Sequence, residues 1–381
     1  MTDPVVEVIA GVDTHKDTHT AAAIDPVGRE LGWAQFPATT AGFIQLLSWL
    51  RSLGTLVLVG VEGTGSYGSG LTQHLAAEHV RVVEVQRPQH NSRRGAGKSD
   101  PIDAVPAARA ALAGRTGTPK NRTSAVEALR NLRVTRSSAV AHRAQVVTQI
   151  KDLIVTAPEP VRTRLRALTA TALLKVCASA RPDIARVGDP AVAVKLALRH
   201  LAGRALVLSE EITALDIPIK ALVTQINPEM LELPGVGPDT AGQLLVTAGA
   251  NPERIRSDAA FARITGTAPI PASSGRTDRH RLNRGGDRHA NAALHRIVIV
   301  RMRHHQPTRA YVERRTTQGL SKRDIIRCLK RYVTREIFHA LTTPNSTEPP
   351  LPQATLTSIG ASWTRRRDRT GKRKIPVGPP V

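Results

Sequence analysis

Three strand-length apolar runs follow one another near the N-terminus before any helical pattern begins, and this order constrains the fold more than any other feature of the chain. Val5–Asp13, Thr18–Asp25 and Arg29–Phe36 are separated by polar turns, and Asp25-Pro26-Val27-Gly28 combines the residue types that turns favour. Thr40 is placed to cap a helix running to about Ser52, with Phe43, Leu46, Leu47 and Leu50 on one face. A fourth strand over Thr55–Val61, a helix from about Tyr67 to Glu78 and a fifth strand over Val80–Val85 continue the pattern. Acids sit at the ends of two of these runs. Asp13 closes the first, in Gly11-Val12-Asp13-Thr14-His15-Lys16-Asp17, and Glu62 closes the fourth, in Val61-Glu62-Gly63-Thr64-Gly65. Asp100 and Asp103, in Lys98-Ser99-Asp100-Pro101-Ile102-Asp103, open an alanine-rich helical stretch with Pro101 at its first position.

Three strands followed by strand–helix repeats is the order of the ribonuclease H-like fold. There the first and fourth strands are neighbours, which would bring Asp13 and Glu62 together. Acids converging at one sheet edge suit hard divalent cations, which take oxygen ligands. Two such ions about 3.5–4 Å apart can clamp the attacking and leaving oxygens of a phosphoryl transfer. The four acids therefore predict a metal-dependent nuclease or strand-transferase site. Singly, each has a plainer role: Asp13 in an Asx-turn, Glu62 as a solvated loop acid, Asp100 as an N-cap and Asp103 beside a helix dipole. Together, in a domain with few other acids, they favour metal binding. Asp17, His15 and Lys16 read as turn residues, and His304 and His305 as nucleic-acid or surface contacts.

Charge identifies the partner class. Lys and Arg total 54 against 31 for Asp and Glu, a formal net charge of +23. Neutralising phosphates and releasing their counterions would drive binding of such a chain to a polyanion. Cys177 and Cys328 lack CxxC spacing, which argues against a zinc site or disulfide framework and suits a reducing cytoplasm. Aromatic residues make up 3%, too few for base-stacking platforms to dominate. No signal-peptide pattern and no apolar run of about 18 residues occurs, so no membrane association is expected.

Beyond residue 118 the pattern becomes helical. Leu129, Leu132, Val146, Ile150 and Leu153 recur at three- and four-residue spacing or its multiples, with breaks near Pro158–Pro160 and Gly188-Asp189-Pro190 and helical spacing resuming through Leu215. This predicts an antiparallel helical hairpin or short coiled coil over 119–226, although Arg136 and Arg143 fall on its seam. From 227, Leu233-Pro234-Gly235-Val236-Gly237-Pro238 resembles a helix-hairpin-helix turn, in which Gly235 and Gly237 would expose backbone N–H groups to a phosphate. From Pro344 the chain is rich in Pro, Thr and Ser, then in Arg and Lys; residues 344–381 read as a disordered basic tail.

These stretches together resemble the bridge-RNA-guided DEDD transposases of bacterial insertion sequences. The matching segments are GVDTHKDTHTAAAID, VEGTGSYG, VQRPQH…KSDPIDA, LPGVGPDTA and TGTAPIPASSGRTDRHRLNRGGDRHANAALH, within roughly residues 5–342. The resemblance implies a RuvC-like domain over 1–118, a helical arm over 119–226 and a mostly α-helical transposase domain over 227–343. It places Asp13, Glu62, Asp100 and Asp103 on the family's metal-binding acids, with Mg²⁺, or Mn²⁺ in its place. It implies a catalytic serine before a glycine, Ser274 with Ser273 as the alternative. The surrounding Arg276, Arg279, Arg281, Arg284 and Arg288 would hold phosphates. It further implies donor and target DNA, a structured guide RNA and a homodimer or tetramer.

Three other readings compete. An ATPase of the actin and sugar-kinase type would need a duplicated domain with a second phosphate hairpin, and no repeat follows residue 120. A non-catalytic nucleic-acid-binding protein would not need all four acids. A junction-resolvase-like nuclease would use metal and water and have no need of a serine.

Overall fold

The computed structural model describes residues 6–85, 100–121, 125–272, 280–281 and 283–343, with only the backbone described at 100–103. The first three apolar runs form β1 (Glu7–Thr14), β2 (Thr18–Ile24) and β3 (Glu30–Pro37), an antiparallel meander. Asp25 fixes the second of its turns, between β2 and β3: one carboxylate oxygen accepts from the amides of Val27 and Arg29 at 3.0 and 2.8 Å. Helix α1 (Thr40–Ser52) follows, capped by Thr39 and not by Thr40, because the Thr39 hydroxyl accepts from the Gly42 amide at 3.2 Å. Then come β4 (Thr55–Glu62), α2 (Ser69–Ala77), β5 (Val82–Val85), α3 (Asp100–Leu112) and a two-residue β6 (Thr116–Gly117). The sheet order is β3-β2-β1-β4-β5-β6, with β1, β4 and β5 parallel and β6 antiparallel. This mixed sheet is ribonuclease H-like. β6 has no counterpart in the sequence reading, since two residues carry no periodicity.

Each face of the sheet has its own cover. Val8, Ala10, Val12, Val59 and Val61 pack with Leu46, Leu47 and Leu50 of α1 and Leu71 and Leu75 of α2. Ile9, Ile24 and Val85 on the opposite face pack with Ala107, Ala108 and Ala111 of α3. Small residues let α3 lie almost on the backbone. A methyl group at Gly11 would stand 2.1 Å from the Ala108 nitrogen and 2.5 Å from the Ala104 carbonyl oxygen, and one at Gly60 3.2 Å from the Ala107 carbonyl oxygen.

The helical region is an antiparallel hairpin of α4 (Ala125–Thr156) and α7 (Pro190–Ile226), with the short α5 (Glu159–Arg166) and α6 (Ala170–Ala178) between them in sequence. The arginines expected on its seam are accommodated by polar partners on α7. Arg136 Nε donates to Asp216 Oδ1 and Arg143 Nε to Ser209 Oγ, both at 2.6 Å, one heptad apart in opposite directions along the two helices. Val146, Ile150 and Ile154 pack with Leu173, Leu174, Leu198 and Ala202. α7 continues past Leu215 and through Pro218 because Ile219 and Val223 are drawn into the next core.

That core joins Leu129, Ile219 and Val223 to α8 (Glu229–Glu232), α9 (Pro238–Ala248), α10 (Asp258–Ile264), α11 (Arg288–His304), α12 (Gln306–Thr317) and α13 (Lys322–Thr342). Strands β7 (Ile270–Pro271) and β8 (His280–Arg281) pair as Ile270↔Arg281 and Pro271↔His280, a stem that brackets residues 272–279. No helix among the described residues is long and apolar enough to cross a membrane.

Candidate active site

Strand periodicity places the first two acids. Side chains alternate along a strand, so Asp13 shares the α3 face with Ile9 and Gly11, and Glu62 shares it with Gly60. Gly11 pairs with Gly60 and Val12 with Val61 across the parallel β1–β4 ladder. Asp13 and Glu62 are the next residues on each strand, so they stand side by side at the C-terminal ends. Both are buried, at 2% and 4% exposure, and the Thr14 hydroxyl ties the two strand ends by donating to the Glu62 carbonyl oxygen at 2.9 Å. The two remaining acids occupy the first turn of α3. Gly11 lies against Ala104, the residue after Asp103, so the backbone of that turn is at the same end of the sheet as Asp13. The side chains of Asp100 and Asp103 lie outside the described residues.

Three polar residues near the acids carry no assigned role in the sequence reading. His15, read there as a turn residue, brings its Nε2 to 3.1 Å from Asp13 Oδ2. Thr20, the cross-strand partner of Asp13, and Thr64, two residues beyond Glu62, are buried with hydroxyls that have no hydrogen-bond partner among the described residues. The DTHKDTH pattern holds the signal for His15; the Thr20 hydroxyl becomes visible only through the register. On the other face His19 stacks on Phe43, ring centroids 5.6 Å apart. Burial pushes its pKa below the usual imidazole value, against the Thr18 carbonyl, which favours the charged form. His305, expected as a contact residue, bonds the Thr308 hydroxyl at 2.8 Å beside the start of α12.

Paired buried carboxylates with the orphaned Thr20 hydroxyl on the strand beside Asp13 are an oxygen donor set that fits a hard divalent cation and its water ligands, whereas Thr64 lines a separate cavity against α2. Among the described residues no three His, Cys, Asp or Glu side chains form a metal-sized group. Asp100 and Asp103 are the residues whose side chains would extend the pair.

The serines, Ser273 and Ser274, and Arg276 and Arg279 also lie outside the described residues. Arg281 on β8, Arg284 and Arg288 at the start of α11 are exposed. The Gly235 turn has a left-handed φ of 74° and packs against Ile297, Val300 and Arg301 of α11. The Gly237 amide donates to the Thr240 hydroxyl at 3.0 Å, and Asp239 in the first turn of α9 binds Arg133 and Arg296 at 2.7 and 2.6 Å and Arg136 at 3.3 Å. Burial opposes the Asp239 charge, but these guanidiniums outweigh it and hold the carboxyl below the usual aspartate range. Burial likewise disfavours the Arg133 charge, so the cluster is favourable to the acid and costly to its most enclosed base.

Comparison with known proteins gives two family matches. Residues 10–157 match a family described as Transposase, and residues 228–313 match one described as Transposase IS116/IS110/IS902 family. No curated protein matches the chain.

Proposed function

The chain belongs to the IS116/IS110/IS902 family of transposases, enzymes that act on DNA, and from that premise we propose how it cuts and joins strands. Asp13, Glu62, Asp100 and Asp103 would hold divalent cations, Mg²⁺ by preference, at the edge of the ribonuclease H-like sheet. The observation that carries this reading is the buried juxtaposition of Asp13 and Glu62 on the α3 face. A bound cation would supply Lewis-acid polarisation of the scissile phosphate. His15 orients one Asp13 oxygen, and Thr20 offers a hydroxyl beside it.

Ser274, with Ser273 as the alternative, is the proposed nucleophile. Its Oγ bonds to phosphorus, one ester bond to a deoxyribose oxygen breaks, and the hydroxyl proton passes to the departing oxygen. The phosphoserine link conserves the bond energy for rejoining. Arg276, Arg279, Arg281, Arg284 and Arg288 neutralise phosphate charge. The Gly235 end of the turn, beside Lys220, is proposed as a second phosphate contact; the Gly237 amide is engaged by Thr240, and Arg136 and Arg296 are held by Asp216 and Asp239, which line the same surface. In this division of labour residues 1–118 bind metal, 119–226 form the arm of a dimer or tetramer, 227–343 carry the serine and 344–381 add unspecific affinity. A structured guide RNA supplies the sequence readout, and the charge of +23 suits two nucleic-acid partners.

The test is a denaturing-gel assay for covalent protein–DNA adducts with Mg²⁺, donor and target duplexes and RNA from the flanking region. Asp13→Asn is expected to abolish cleavage with binding nearly intact, and Ser274→Ala to abolish the adduct. Full cleavage by Asp13→Asn would remove Asp13 from the metal site. An adduct lost only in Ser273→Ala would move the nucleophile by one residue. Cleavage without any adduct would mean water is the nucleophile.

A further inference from the structure

A cavity of about 860 Å³ opens between α12, α13 and the β7–β8 stem, well away in sequence from the four acids. Its charge is one-sided. Arg281, Arg315, Arg323, Arg327, Lys330 and Arg331 line it, and Asp324 is the one carboxylate among its lining residues. Four of these cations recur at i, i+4, i+7 and i+8 along α13, which puts Arg323, Arg327, Lys330 and Arg331 on one helical stripe. Like charges crowded into one concavity repel, and an anion relieves the repulsion.

The hydrogen bonds at the cavity are incomplete in the same sense. Arg331 gives Nη2 to Asp258 at 2.7 Å, but its Nη1 is buried without a partner among the described residues. Arg315 gives Nη1 to Gln318 at 2.7 Å, and its Nε is likewise buried without one. Guanidinium donors left over in this way match the several acceptor oxygens of a phosphodiester. The cavity is also tied to the stem. Lys330, itself buried, donates to Asn291 Oδ1 at 2.8 Å, and Asn291 Nδ2 donates to the carbonyls of Thr265 and Gly266 at 2.9 and 3.0 Å. Gly266, Thr267, Ala268 and Pro269, which lead into β7, line the cavity together with His280 and Arg281 of β8.

We propose that this cavity is a DNA-binding site in which the α12 and α13 cations grip the phosphates of a DNA strand beside the β7–β8 stem. The stem brackets residues 272–279, so the grip would present the strand to the segment holding Ser273 and Ser274; that consequence rests on the proposed nucleophile, whereas the binding itself does not. Arg315, Arg323, Arg327 and Arg331 are thus DNA-positioning residues on elements outside the sequence stretch where phosphate contacts were expected.

The experiment is equilibrium binding of the full chain to a fluorescein-labelled DNA duplex, followed by anisotropy across a sodium chloride series. The variants are Arg323→Gln/Arg327→Gln and, as a charge-matched control outside the cavity, Arg29→Gln/Arg51→Gln. Removing one phosphate-binding cation flattens the plot of log K against log salt by about 0.9, so the cavity variant should drop by about 2 in slope and about tenfold or more in affinity. Arg323→Gln alone, an exposed position, should show about half that change in slope and serves if the double variant melts early. Equal slopes for the cavity variant and the control would overturn the proposal. So would weakened binding of the flanking RNA with DNA affinity unchanged. Ser274→Ala should bind DNA like the parent chain; an adduct that survives in it refutes the nucleophile assignment and leaves the binding result standing.

Discussion

Gly11→Ala tests whether the close approach of α3 to the sheet governs the proposed metal site. The added methyl would lie 2.1 Å from the Ala108 nitrogen, 2.5 Å from the Ala104 oxygen and 2.7 Å from the Ala107 carbonyl carbon. All three obstacles are backbone, so no side-chain rotation relieves them. Ordinary contact begins near 3.4 Å, and α3 must therefore retreat by about 1 Å or more. Overpacking of this kind costs about 1–3 kcal/mol of stability. Asp103 precedes Ala104 directly, so the retreat moves the first turn of α3 away from Asp13 and Glu62. A misplacement of about 1 Å at a reacting centre can cost about 100-fold in rate. The assay pairs urea unfolding with Mg²⁺-dependent DNA cleavage, each at several Mg²⁺ concentrations. The comparison is Gly203→Ala within α7, where an added methyl meets nothing within 4 Å and should stabilise the helix by about 1 kcal/mol. Cleavage by Gly11→Ala within threefold of the parent, at unchanged unfolding midpoint, would refute the argument that the glycine sets the spacing of the acids.

Three further outcomes follow from the polar interactions. If Asp13 is the metal ligand proposed, His15→Ala should lower cleavage by about tenfold and raise the Mg²⁺ concentration needed, because the residue that orients Asp13 Oδ2 is gone; unchanged Mg²⁺ dependence would leave His15 a turn residue. Arg133→Met should cost about 3 kcal/mol in urea unfolding, since Asp239 loses its most enclosed partner but keeps Arg136 and Arg296. Asp239 has a depressed pKa in the folded chain, so its contribution is complete above the ordinary aspartate pKa of about 3.9 and is lost as pH falls below it through the depressed value. Asp239→Asn should therefore be less stable than the parent at pH 7, and that gap should narrow below about pH 4 in acid-unfolding measurements.

Much of the sheet was legible because its signals are local. Apolar runs of strand length, the Asp25 turn and the alanine-rich stretch after Asp100 each declare themselves within about ten residues. The limits of that reading are equally physical. Thr39 rather than Thr40 caps α1 because the choice depends on which hydroxyl reaches the Gly42 amide. α7 runs through Pro218 because the burial of Ile219 and Val223 outweighs a local helix breaker. Arg136 and Arg143 looked like seam defects until Asp216 and Ser209 stood opposite them.

The amino-acid order alone determined the strand-ending positions of Asp13 and Glu62, the helix-opening positions of Asp100 and Asp103, and the attraction to polyanions, because hydropathy period, capping chemistry and net charge are properties of the chain itself. Tertiary structure decided which of these residues meet. The β1–β4 register sets Asp13 beside Glu62, and the Gly11 floor brings the first turn of α3 to that end of the sheet. The arrangement of α12, α13 and the β7–β8 stem around one cavity gathers arginines that the sequence scatters from 281 to 331. Such meetings follow from how whole elements pack, and no local pattern of residues encodes them.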